Sequence, residues 1–310
     1  MGATGEQRQE KDLYPSRVSS TPNITSRLDP VIWGDIGAEA PLPSADVVSY
    51  DREGFLYLES FFPESEVEEM QDELARLRDD ASIRACEETF TEPGSDEVRS
   101  IFDIHILSPV FAKIANDERL TAIARFILDD DVYVHQSRLN YKPGFTGKEF
   151  YWHSDFETWH VEDGMPCMRA LSMSVTLTEN NEFNGPLMLI PGSHRFYVSC
   201  VGETPEDHYK QSLKKQEYGV PDPESLRFLA EKGGIVAPKG PAGSVVIFDC
   251  NTIHGSNGNI SPYPRSNAFF VFNAQSNRLV EPFGGVKPRP SFIAHRESVS
   301  ENQGHTGESP

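Results

Sequence analysis

The sequence predicts a mainly β protein with flanking helices: a double-stranded β-helix barrel of the jelly-roll or cupin type. Three observations carry this expectation. A helical layer comes early, many short strand-like runs follow residue 131, and Gly-, Pro- and Asn-rich turn signals separate those runs. A barrel of this kind is wide enough inside for a small ligand.

In chain order, residues 1–45 are rich in Pro, Ser and Gly and lack periodicity, which predicts a partly flexible arm wrapping the domain. "GFLYLESFF" (54–62) reads as a strand. Val67, Met70, Leu74 and Leu77 then recur at helical spacing, with Glu early and Arg late to suit the helix dipole. Residues 108–128 give two shorter helical patterns, opened by Ser108-Pro109. "DVYVHQSRLNY" (131–141) alternates and is a strand. "ALSMSVTLT" (170–178) alternates cleanly, with Leu171, Met173, Val175 and Leu177 on one face and hydroxyl side chains on the other. "PLMLI" (186–190), "GSVVIFD" (243–249) and "SNAFFVFNAQS" (266–276) complete the strands. Residues 202–233 are an insertion with helical potential. The expected organisation is an arm (1–45), one domain (46–295) and a disordered tail (296–310).

Composition narrows the function classes. The 310 residues carry a net charge of −20 and no basic stretch, so nucleic acid is not an expected partner. Apolar residues, 37% of the chain, come in runs too short to span a membrane, and the N-terminus lacks the apolar stretch of a secretory signal. A cytoplasmic protein is expected. Cys86, Cys167, Cys200 and Cys250 are far apart with no CxxC pair, which predicts reduced thiols.

Residues 150–166, "FYWHSDFETWHVEDGMP", concentrate histidines, acids and aromatics. If residues 150–155 are extended, His153 and Asp155 point to one face and can grip one ion. Two histidines and one carboxylate on one octahedral face are the signature of non-haem Fe(II) oxygenases, so a third ligand must come from elsewhere. His160-Val161-Glu162 is a competing triplet. Candidates for the third ligand are His254, read as lying in a Gly/Asn turn at a barrel mouth, and His194, which also follows a strand. His105 and His135 sit among apolar residues and read as structural; His208, His295 and His305 read as solvated. Downstream of His254, Arg265, Asn267, Phe269 and Val271 share a strand face. Arg265 either faces the interior, where it needs an anion, or lies exposed at the strand end.

The combination His153-x-Asp155, His254, Arg265 resembles Fe(II)/2-oxoglutarate dioxygenases of the phytanoyl-CoA hydroxylase superfamily. The longer string from Phe150 to Pro166 is similar to the signature of the ectoine hydroxylases, which convert the compatible solute ectoine to 5-hydroxyectoine. The resemblance runs from "DLYPSR" (12–17) to "KPRPSFIAH" (287–295). It implies Fe(II) held by His153, Asp155 and His254, with 2-oxoglutarate and O₂ as co-substrates. It assigns the 2-oxoglutarate pocket to Asn140, Phe150, Ser256 and Arg265, and the contacts to ectoine to Gln136, Arg138, Trp159, Phe248, Asn267 and Phe269. A homodimer is implied by the resemblance alone.

The residues agree in part with that assignment. Gln136, Arg138 and Asn140 share one face of strand 131–141, an odd triplet for an apolar core. Ectoine joins a carboxylate to a cationic amidinium ring. Arg138 suits the first and the aromatics suit the second. Three alternatives stay open at this point: a dioxygenase acting on another small substrate such as proline, a non-catalytic 2-oxoglutarate or ectoine sensor, and a hydrolytic zinc enzyme.

Overall fold

A computed structural model describes residues 12–205, 207, 209–213 and 218–296. The expected tail beyond Arg296, residues 1–11 of the arm, His208 and His305 lie outside the described residues. Among the described residues twelve strands are formed: β1 (Asn23–Ser26), β2 (Phe55–Leu58), β3 (Thr89–Thr91), β4 (Val98–Phe102), β5 (Val132–Lys142) and β6 (Phe150–His153). These are followed by β7 (Ala170–Thr176), β8 (Leu187–Leu189), β9 (Phe196–Ser199), β10 (Val245–Asp249), β11 (His254–Ser256) and β12 (Arg265–Ala274). They make a seven-stranded sheet in the order β2-β10-β7-β12-β5-β4-β3, a three-stranded sheet β6-β11-β8 and the pair β1-β9, all antiparallel. The mainly β, jelly-roll expectation holds.

Strand β7 shows how alternation builds the layers. Leu171, Met173 and Val175 enter the main apolar core, together with Val245 and Ile247 of β10 and Phe270 and Phe272 of β12. Ser172, Ser174 and Thr176 point to the opposite face and are equally buried. Strand β7 is therefore apolar toward the helices and polar toward the second sheet. Each fully buried Leu or Phe on the apolar side contributes about 1.5–3 kcal/mol.

Helix Glu64–Asp79 covers that side with Val67, Met70, Leu74 and Leu77, the residues whose spacing predicted it. Ser108 caps the helix Pro109–Ala115 through its hydroxyl, which accepts from the Phe111 N–H, and Pro109 needs no donor at that position. Helix Glu118–Leu128 adds Leu120, Ile123, Ala124 and Ile127. The strand expected over 54–62 is shorter, because the chain leaves β2 after Leu58 to enter the Glu64 helix. A helix at Ser44–Glu53, absent from the sequence reading, precedes it and ends at Gly54, whose φ of 81° suits glycine. The arm adds β1 to β9, and its Tyr14, Ser16 and Arg17 are buried. The insertion contributes the helices Tyr209–Ser212 and Pro223–Gly233. Cys86, Cys200 and Cys250 are free thiols.

Candidate metal centre and adjoining pocket

Two histidines meet because β6 and β11 pair antiparallel with His153 opposite His254. His254 therefore lies in a strand, not in the turn expected. The Nδ1 atoms of His153 and His254 lie 2.7 and 3.0 Å from the carbonyls of Tyr151 and Thr252. A carbonyl only accepts, so each Nδ1 carries the proton and each Nε2 keeps a lone pair. Those Nε2 atoms lie 3.7 and 3.9 Å from Asp155 Oδ1.

Asp155 reaches this point by a different route from the one expected. The strand stops at His153, and Asp155 opens a helical turn, Asp155–Thr158, that continues as a π-helical turn, Trp159–Asp163. A change of backbone direction brings the carboxylate in, not strand alternation. Burial and, after it, His254 push His153 down to about 3, so the imidazole is neutral and able to ligate. Burial opposes ionisation of Asp155, yet His254 and Arg138 hold it below the usual carboxylate range. Ser172 donates to its Oδ2 at 3.2 Å. One ligand atom from each of the three residues lies within 4.8 Å of the others. Two imidazoles with Nε2 aimed at an ionised carboxylate, each of the three side chains oriented by a hydrogen bond, fit a divalent iron. His160 and Glu162 take no part in this set, and His194 Nε2 instead donates to the Asp51 carbonyl at 3.0 Å.

On one side lies a cationic recess. Arg265 is 3% exposed, so it is not the exposed strand-end residue of the alternative reading. Its Nη1 donates to Asn267 Oδ1 at 2.9 Å, while its Nε has no partner among the described residues. Burial and then Arg99 lower it to about 10. Lys142 donates to Ser256 Oγ at 2.7 Å and to the Asn257 carbonyl, and its ammonium lies 5.4 Å from the Phe150 ring centre. Asn140 Oδ1 accepts from Ser100 at 2.9 Å. Lys142 was missed by the sequence reading, although it continues the period-two series Gln136, Arg138, Asn140.

On the other side Arg138 lies over the Phe269 ring at 4.8 Å and donates to Gln136 Oε1. Gln136 in turn donates to the Ile293 carbonyl at 2.7 Å. Phe248 packs on His254 with ring centres 4.8 Å apart, and Trp159 meets His135 edge-on at 5.0 Å. Gln136, Arg138, Asn140, Phe150, His153, Asp155 and Trp159 line one cavity, together with Glu162 and Arg289. Asn267 is engaged at both ends, by Arg265 and by Ser174 at 2.8 Å, so it steadies the arginine.

The remaining acids of the signature form structural pairs. His160 lies 2.8 Å from the Met165 carbonyl and 2.9 Å from Asp12, and stacks on Phe283 at 4.0 Å. Glu162 pairs with Arg17 at 2.6 Å and Asp163 with Arg289 at 2.5 Å. His295, read as solvated, is 2.7 Å from Asp103 and only partly exposed. Its position follows from the chain end folding back over β5, where its N–H donates to the His135 carbonyl.

A His–Asp–His set between two antiparallel sheets defines a non-haem iron oxygenase site. The chain belongs to the phytanoyl-CoA dioxygenase (PhyH) family, which it matches over residues 50–267. It is 59% identical over 286 residues to the ectoine dioxygenase of Sphingopyxis alaskensis, covering 92% of this chain and 94% of that protein. Identity to the ectoine dioxygenase of Bordetella bronchiseptica is 61% over 289 residues, covering 93% and 94%. The crystal structure of EctD from S. alaskensis with 2-oxoglutarate and 5-hydroxyectoine superposes with a TM-score of 0.85 at 54% identity, covering 93% and 96% of the two chains. The same enzyme with bound Fe gives 0.83 at 53% identity, covering 93% and 95%.

Proposed function

We infer that this protein is an Fe(II)- and 2-oxoglutarate-dependent dioxygenase that hydroxylates ectoine to 5-hydroxyectoine, with release of succinate and CO₂. The observation that carries the reading is a pair of guanidiniums: half-buried Arg138, which lines the cavity with His153 and Asp155, and buried Arg265, held by Asn267 near Lys142. Among the described residues neither makes a salt bridge to a carboxylate. A buried cation without a counter-ion is costly, so Arg265 is suited to an anionic ligand, and Arg138, whose charge faces Asp155 from the cavity wall, can take a second one there. Two carboxylate-bearing molecules beside one metal fit that arrangement.

His153, Asp155 and His254 hold the iron in this reading. Iron(II) bound there supplies the redox chemistry that couples O₂ and 2-oxoglutarate to hydroxylation of a C–H bond. Arg265 and Lys142 bind the distal carboxylate of 2-oxoglutarate, with Asn140, Ser256 and Phe150 shaping that recess. Arg138, set by Gln136, pairs with the ectoine carboxylate. Trp159, Phe248 and Phe269 cover the cationic ring, a contact worth roughly 1–2 kcal/mol once water is excluded. Asn267 acts mainly by holding Arg265. The residues position the substrate C–H and exclude water, and no general base is needed. Residues 46–295 act as the catalytic unit with the arm packed on it, in a cytoplasmic homodimer. No helix among the described residues is long and apolar enough to cross a membrane.

The test is an anaerobically purified protein given Fe(II), 2-oxoglutarate, O₂ and ectoine, with succinate and 5-hydroxyectoine measured together. Matched formation of both, lost in Asp155→Ala, is expected. Succinate without 5-hydroxyectoine would overturn the substrate and keep the dioxygenase.

A further inference from the structure

The turn that carries Trp159 is held by a side chain from the N-terminal arm, more than a hundred residues away in sequence. We propose that Arg17, on the N-terminal arm, is a positioning residue for ectoine: its guanidinium clamps Glu157 and Glu162 and so fixes the π-helical turn that presents Trp159 to the cavity. The proposal rests on reading that cavity as the ectoine site.

The clamp is complete and buried. Arg17 Nε and Nη2 donate to the two carboxylate oxygens of Glu157 at 3.0 and 2.6 Å, and Nη1 donates to Glu162 Oε1 at 2.6 Å. The three side chains are 3%, 1% and 1% exposed. One planar fork therefore joins residues five apart in sequence. On an α-helix such residues point about 140° apart. Here Glu157 belongs to the Asp155–Thr158 helical turn and Glu162 to the Trp159–Asp163 π turn, so the fork ties the two turns together on either side of Trp159.

The arm is anchored well enough to act as a clamp. The Arg17 N–H donates to the Cys200 carbonyl at 2.9 Å. Ser16 donates to Glu157 at 2.5 Å and accepts from the Cys200 N–H at 2.9 Å. Arg17 itself has a φ of 58°, a left-handed conformation uncommon for a non-glycine residue. That conformation is maintained where the side chain must enter the protein. Trp159 and Glu162 both line the cavity, so a shift in this turn reaches the ectoine side directly. Arg265 and Lys142 stand on β12 and β5, outside the clamped turn.

The test compares wild type with Arg17→Ala and Arg17→Lys, measuring KM for ectoine, KM for 2-oxoglutarate and the succinate-to-5-hydroxyectoine ratio. Lysine keeps the charge but cannot fork across two carboxylates. Both variants are expected to raise the ectoine KM on the order of ten- to a hundredfold, with the 2-oxoglutarate KM unchanged and succinate in excess. Methylguanidinium should partly restore coupling in Arg17→Ala. Tryptophan emission should shift to the red in the variants, and the shift should vanish when Trp159→Phe is added. Equal changes in both KM values, or no change in either, would overturn the proposal. So would an emission shift that survives Trp159→Phe. If Arg17→Ala does not fold, Arg17→Lys decides. If wild type makes no 5-hydroxyectoine, the substrate reading fails, while the emission comparison still decides the clamp.

Discussion

His153 and His254 are direct partners across the β6–β11 pair, and their ring centres lie 4.3 Å apart. Each is held by a hydrogen bond from Nδ1 to the carbonyl two residues before it, which leaves the two Nε2 lone pairs converging on Asp155. Asp155 is held in turn by Ser172. Ser172→Ala is expected to weaken divalent metal binding about 10–100-fold, by analogy with other hydrogen bonds to ligands. Anaerobic equilibrium dialysis with Fe(II) or Co(II) reads this directly. An unchanged affinity would show that the carboxylate needs no such support.

Lys142 offers a pH signature away from the metal. Burial, then Arg265 and Arg99, lower it from 10.5 to about 6. Between those two values the unfolded chain holds a proton that the native chain does not. The destabilising contribution is therefore complete below about pH 6 and fades as the pH rises toward 10.5. Thermal midpoints across that window should rise with pH relative to Lys142→Met. An incoming dicarboxylate favours the charged lysine, so 2-oxoglutarate binding at pH 8 should take up a proton. Calorimetry in buffers of different ionisation enthalpy measures that uptake, which Lys142→Met should abolish.

In the proposed function the Arg138–Phe269 pair forms the ectoine side of the site. Phe269→Leu keeps the site apolar but removes the ring under the guanidinium 4.8 Å away. Losing that contact and the coverage of the substrate should cost about 1–2 kcal/mol of ectoine binding, with the 2-oxoglutarate KM unaffected. Arg138→Lys should do more, because an ammonium cannot make the planar paired contact with a carboxylate. Steady-state kinetics with each co-substrate varied separate the two effects.

Gly164 closes the π turn with a φ of 79°, and a Cβ there would lie 2.0 Å from the Val280 carbonyl oxygen. Gly164→Ala combines a left-handed alanine, about 1–2 kcal/mol, with a backbone clash that must be relieved by movement. A fall in stability larger than the first figure is expected in urea unfolding. A smaller one would mean that the 280–284 strap moves aside without cost.

Much of this protein was decided by local pattern. The alternation of β7, the spacing of Val67, Met70, Leu74 and Leu77, and the Ser108-Pro109 start are local rules, and packing agreed with them. The polar face of β5 was legible for the same reason, and the signature string, with its His153-x-Asp155 pair, identified the family. Tertiary structure decided the rest. It placed His254 opposite His153, a matter of strand register that neighbouring residues do not encode. It bent the chain after His153, so that Asp155 arrives from a helical turn. It also gave His160, Glu162 and Asp163 their partners: Asp12 and Arg17 from one end of the chain, Arg289 from the other. A charged residue records that it needs a partner, but which partner it finds depends on contacts between segments far apart in sequence.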